Sequence, residues 1–286
     1  GGTLGILIPP STGFVIYAIL TEQSIGRLFL AGVLPGILLL MAFLLVIAIL
    51  CWIKPELGPR GPITRWSEKA HAMLGAIPII SVVLVTIGGI YGGFFSPVEA
   101  AGVGAGLVIL YGMITRQLTL AAIREAGRDS VVTTATVMLI LISAHLINPF
   151  LALSHIPTVV GEALAALHLG VYGTLAVILL IYMVLGCFLE GFAMLVLTLP
   201  IFFPVVLALG IDPIWFGVLV VLTLEMGLIS PPVGLNVFIV KSVAPAVPLG
   251  RIFVGVLPFW LAMLATLILL VAFPQISLML PNTMIR

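Results

Sequence analysis

Long stretches of this chain carry almost no charge, and that limits its fold more than any single motif does. Leu28 to Ile53 is one apolar run, and Ala70–Ile90, Val98–Ile114 and Ile252–Phe273 fill the spaces between charged clusters. Each is near the ~20 residues a helix needs to cross the hydrocarbon core of a bilayer. With 62% hydrophobic residues, 7% charged residues and a mean hydropathy of +1.39, the chain lies far outside the range of soluble domains. The runs do not alternate polar with apolar positions, so they read as helices and not as strands of a barrel. The expected class is an all-α, multi-pass integral membrane protein.

Several functions are excluded by what is missing. A net charge of +1, without a basic run interleaved with aromatics, offers no nucleic-acid surface. Cys51 and Cys187 sit in apolar segments, with neither metal-ligand spacing nor a disulfide framework. No hydrolase triad, P-loop or H-E-x-x-H motif is present, so an enzyme is not expected.

Orientation follows from the lysines and arginines, which concentrate in cytoplasmic loops. Lys54, Arg60, Arg65 and Lys69 lie in one loop, and Arg116, Arg124 and Arg128 in another two spans later. Val131–Leu153 then runs outward, and "SHIPTVVGEALAALHLG" is an outer segment without Lys or Arg. From Val171 to Leu209 the chain is apolar for about twice the length of one span. A single crossing there would leave Lys241 outside. A re-entrant hairpin over 171–209, with its tip near Glu190 in "GCFLEGFAM", restores the parity.

The opening "GTLGILIPPS" has an echo in "MGLISPPVGLN": Gly5, Ile8, Pro9 and Pro10 align without a gap with Gly227, Ser230, Pro231 and Pro232. The topology runs the first copy outward and the second inward, the arrangement of an inverted-topology repeat with a ligand site at its interrupted helices. Proline lacks an N–H and frees backbone carbonyls. With Ser11, Ser230 and Asn236 these supply hard oxygens for a small cation, while the half-helix N-termini face an anion. Ion-coupled uptake of an organic acid is the expected chemistry.

Five ordered motifs, "GTLGILIPPS", "LTEQSIGRLFLAGVLPG", "GGIYGGFFSPVEAAGVGA", "LTLPIFFPVVLALGIDPIWFGVL" and "EMGLISPPVGLNVFIVK", resemble the large membrane subunit of tripartite ATP-independent periplasmic (TRAP) transporters over essentially the whole chain. The resemblance implies an inverted-repeat, elevator-type fold with a re-entrant helical hairpin and broken transmembrane helices. It also implies that this chain is the C-terminal two-thirds of such a subunit, the N-terminal half being absent. The expected domains are 1–53, a first broken helix and following span; 54–128, a cytoplasmic connector and two scaffold-like spans; and 129–286. The last holds the hairpin at 171–209, a second broken helix near 213–244 and a C-terminal span.

The implied activity is sodium-driven import of an organic acid, such as a C4-dicarboxylate, across the bacterial inner membrane. Implied partners are a soluble periplasmic binding protein and a small four-helix membrane subunit; no cofactor is expected beyond sodium as coupling ion. The alternatives are a stand-alone sodium/dicarboxylate symporter and a non-transporting helical membrane subunit. Carried onto this chain, the resemblance places Gly186, Glu190, Gly191, Gly227, Ser230, Pro231, Pro232, Gly234 and Asn236 at one ion and substrate site. Sodium would be held through Gly186, Glu190, Gly227 and Ser230. Gly5, Pro9, Pro10 and Ser11 belong to the other site. Where family members often carry aspartate and then proline-threonine, this chain has Glu190, Gly191 and Phe192, so it departs from the family at the tip.

Other polar residues have local readings beside the functional ones. Glu190 could simply cap a half-helix N-terminus, and Glu225 could hold the broken helix by a hydrogen bond. Ser96 to Glu99 matches a capping box with Pro97 at the first helical position. His145 and Asn148 could form a relay, but a histidine bonded to a neighbouring helix is the simpler expectation. His155 and His168 are expected at the outer surface.

Overall fold

The computed structural model describes residues 2–58, 61 and 66–284, and every regular element among them is helical. In chain order these are α1 (Leu4–Leu7), α2 (Thr12–Thr21), α3 (Ile25–Ile53), α4 (Trp66–Tyr91), α5 (Pro97–Ile114), α6 (Leu120–Leu153) and α7 (Ile156–Ala166). Then follow α8 (Gly170–Gly186), α9 (Gly191–Ala208), α10 (Pro213–Leu228), α11 (Leu235–Val243), α12 (Leu249–Ala272) and α13 (Gln275–Thr283). A 3₁₀ turn covers Pro55–Leu57. Seven segments among the described residues are long and apolar enough to cross a membrane, taking α1 and α2 together as one.

The expected spans return as α3, α4, α5 and α12, each within a few residues of its predicted ends. The expected breaks separate α1 from α2 and α10 from α11, and the expected hairpin is α8 and α9, closed by the turn at residues 187–190. The Ser96 capping box is present: Glu99 N–H donates to Ser96 Oγ at 3.3 Å, and Ser96 N–H to Glu99 Oε2 at 2.8 Å.

Three features differ from the sequence reading. The segment holding Arg124 and Arg128 is not a loop but the first turns of α6. Its alanines, arginines and glutamate favour helix, and Thr119 Oγ1 accepts from the N–H of Ala122 to start it. The C-terminal span is followed by α13, which was not foreseen. His145 is exposed on α6 and makes no hydrogen bond to a neighbouring helix among the described residues. Of the first basic loop, Arg60 and Arg65 lie outside the described residues, as does the side chain of Asn148.

The chain divides into two compact units, with boundaries inside α3 and α6. One comprises Leu50–Met138 and Thr283–Arg286; in it α4 and α5 form an antiparallel hairpin, Gly104 facing Thr86 and Gly89 facing Phe95. The other comprises Gly1–Ile49 and Leu139–Asn282 and contains both breaks and the α8–α9 hairpin.

The centre of this second unit is α10, buried at every residue from Ile214 to Gly227. Helices α1, α2, α8, α9, α11 and α12 pack around it. Between helices that share an apolar solvent, close packing through small residues replaces the hydrophobic drive. Gly217 meets Tyr17 and Leu28, and Gly13 meets Val221. These contacts also set direction. Gly13 lies on Val221, Tyr17 on Gly217, and the Tyr17 hydroxyl donates to Pro213 O at 2.7 Å. Numbering rises on α2 as it falls on α10, so the helix after the first break runs antiparallel to the helix before the second.

Candidate functional site: two proline breaks and a hairpin tip

At the second break α10 ends with tightened turns, Ile229 N–H donating to Met226 O at 3.3 Å and Ser230 N–H to Gly227 O at 3.0 Å. The Pro231–Pro232 peptide is cis, and both rings are exposed. Gly234 takes a left-handed conformation, φ +56, where a Cβ would stand 3.0 Å from Ser230 O. Its carbonyl accepts from Val237 N–H at 2.8 Å and so begins α11. Ser230 is 5% exposed. Its hydroxyl donates to Met226 O at 2.7 Å and accepts the indole N–H of Trp260 on α12 at 2.7 Å. One lone pair of that oxygen stays free.

Asn236, on α11, donates its amide to Glu225 Oε1 at 3.4 Å, a link that crosses the break. Glu225 is 3% exposed, and its Oε2 is buried without a hydrogen-bond partner among the described residues. Glu225 therefore makes the hydrogen bond the sequence suggested, yet keeps one oxygen unused.

The hairpin tip meets this break. A Cβ on Gly227 would stand 2.6 Å from Gly186 Cα, and one on Gly191 would stand 2.6 Å from Leu224 Cδ2. Gly186, Gly191 and Gly227 are thus brought together, and only glycine permits the approach of α8 to α10. Glu190 takes the capping alternative: it is exposed, precedes α9, and its Oε2 accepts from Phe192 N–H at 2.9 Å and Ala193 N–H at 3.1 Å. Cys187 donates to Met183 O at 3.2 Å.

At the first break the Pro9–Pro10 peptide is also cis, with Pro9 buried and Pro10 exposed. Ser11 caps α2 by accepting from Phe14 N–H at 3.4 Å, and its hydroxyl donates to Ile6 O. Gly5 differs from its aligned partner Gly227: a Cβ there meets nothing within 4 Å. Gly13, in the first turn of α2 just after the first break, lies on Val221, four residues before Glu225 on α10. The two breaks therefore flank one stretch of the central helix.

Among the described residues no three His, Cys, Asp or Glu side chains cluster to hold a metal ion. A cation here would rely on carbonyl and hydroxyl oxygens with one carboxylate. Sequence reasoning missed Trp260. An indole inside a span needs an acceptor for its N–H, but nothing in the sequence names Ser230 as that acceptor.

Comparison with known proteins agrees with this architecture. The family described as "Tripartite ATP-independent periplasmic transporter, DctM component" matches residues 1–276. The chain belongs to the DctM family. It is 38% identical to the C4-dicarboxylate TRAP transporter large permease protein DctM of Pseudomonas aeruginosa, over 98% of this chain and 65% of that protein. It is 35% identical to the protein of the same description from Vibrio cholerae, covering 98% of this chain and 66% of that one. A sialic acid TRAP transporter large permease protein, SiaM of Vibrio cholerae, is 32% identical over 98% of the chain. The chain thus spans about two-thirds of the length of these relatives. Its relatives are transporter permeases and not enzymes.

Proposed function

We propose that this DctM chain is the site-bearing part of a TRAP large permease that imports an organic acid across the bacterial inner membrane, driven by sodium. Relatives named for C4-dicarboxylates, sialic acid and ectoine make a small, mostly carboxylate-bearing solute the substrate class, and a C4-dicarboxylate is the first to try. The supporting observation is the backbone crossing of Gly186 and Gly227, which seats a hairpin tip on a proline break. Gly186, Gly227 and Ser230 would offer oxygens to sodium, and Glu190 would fix the tip. Gly234 and Asn236 would start the half-helix that faces the substrate. Gly5, Pro9, Pro10 and Ser11 would serve the second site. The small membrane subunit and the periplasmic binding protein would complete the machine, which would move by an elevator step.

The test is uptake into proteoliposomes of the full-length subunit with its small subunit, presented with its binding protein and radiolabelled succinate or other organic acids. Uptake is expected only with an inward sodium gradient and only with the binding protein. Uptake without the binding protein would favour a stand-alone symporter. Sodium-independent accumulation would overturn the coupling.

A further inference from the structure

We infer that Glu225 supplies the negative charge of a sodium site at the second break, its unused carboxylate oxygen being a ligand of the transported ion. The inference rests on the sodium-coupled reading above and extends it to a residue with no role in it.

The reason is electrostatic. Helices α1, α2, α8 and α9 contain no Asp, Glu, Lys, Arg or His, and α10 contains only Glu225. The other helices packed on α10 contribute one cation each, Lys241 on α11 and Arg251 on α12. Lys241 Nζ is committed to the carbonyls of Pro245 at 2.7 Å and Val247 at 2.8 Å, and Arg251 is exposed in the first turn of α12. Arg27 adjoins Leu28, whose contact on α10 is Gly217, eight residues or about 12 Å of helix from Glu225. A buried carboxylate without a partner costs several kcal/mol, so the group is either protonated or matched by a counter-charge. No side chain among the described residues supplies it.

The surroundings suit a hard cation, which prefers oxygen ligands. Asn236 spends its amide N–H₂ on Glu225 Oε1, which leaves its own carbonyl oxygen to accept. The Ser230 hydroxyl, fixed by Trp260 and Met226, keeps one lone pair. A rigid cluster with a single formal negative charge matches a monovalent ion better than a divalent one.

Glu225→Gln tests this, because the amide has the same shape and still accepts from Asn236. The full-length subunit is melted in sodium and in potassium at equal ionic strength, and uptake is measured against sodium concentration. Wild type is expected to melt higher in sodium, since a ligand of the folded form stabilises it. Glu225→Gln is expected to need at least tenfold more sodium, both for half the melting shift and for half-maximal uptake. Should the amide fail to fold, Glu225→Asp takes its place, with a several-fold rise expected. Unchanged sodium dependence overturns the inference, and so does a variant altered only in its response to pH. A wild type indifferent to sodium sinks the coupling and the site together, whereas a sodium-responsive wild type with a variant that keeps the same sodium dependence sinks only the site.

Discussion

Gly227 and Gly5 occupy equivalent places in the repeated motif but differ in what a methyl group would meet. On Gly227 it would press into the backbone of Gly186, which cannot rotate away, whereas on Gly5 it would enter open space. Gly227→Ala is expected to cost about 1–3 kcal/mol through overpacking. Gly5→Ala is expected to be neutral or to stabilise by up to about 1 kcal/mol, since alanine is the better helix former. Thermal unfolding of the full-length subunit in detergent compares the two. Ser230→Ala removes a hydroxyl already held by Trp260, and Asn236→Ala removes the one side-chain hydrogen-bond donor to the Glu225 carboxylate among the described residues. Both variants are expected to insert in the membrane yet lose sodium-driven uptake by at least tenfold, which a transport assay normalised to membrane-inserted protein reads. The residue types at these positions were legible beforehand, because proline removes an N–H and glycine admits close backbone approach. The pairings were not: neither Gly186 with Gly227 nor Ser230 with Trp260 is encoded by any local spacing.

At the scale of elements, the half-helices are started by side chains that the sequence exposes to view. Asp212 Oδ1 accepts from Ile214 N–H at 2.8 Å and Trp215 N–H at 3.1 Å, and Glu190 does the same for α9. Glu190→Ala is expected to destabilise by about 1 kcal/mol through loss of the cap. Glu190→Gln, which keeps an accepting oxygen, is expected to melt close to wild type in the same experiment. The hairpin itself was deduced from charge parity, because a single crossing would have stranded Lys241 on the wrong side. The length of α6 and the existence of α13 escaped notice, since the first begins in a charged segment that reads as a loop and the second is short and interrupted by Pro281.

For the whole molecule, the decisive fact is that α2 runs antiparallel to α10, so both breaks flank one buried helix. A Gly13→Cys, Val221→Cys pair in a background free of Cys51 and Cys187 is expected to cross-link on oxidation. Gly13→Cys with Gly217→Cys, one turn away, is expected not to. Mass spectrometry of the oxidised full-length subunit distinguishes them, and cross-linking of only the second pair would refute the register.

The sequence by itself determined the solvent, the helical class, the places where helices break and the doubling of the broken motif. These follow from local chemistry: apolar length, missing N–H groups and the sidedness of positive charge. Only the tertiary structure decided that α10 is the helix at the centre, that Glu190 caps while Glu225 is left with an unused oxygen, and that α12 reaches Ser230 through Trp260. The physical reason is that an apolar side chain in a bilayer is as well solvated by lipid as by protein. Hydropathy therefore says that a helix is in the membrane, and only the fit of glycines against neighbouring backbones says which helix lies at the core.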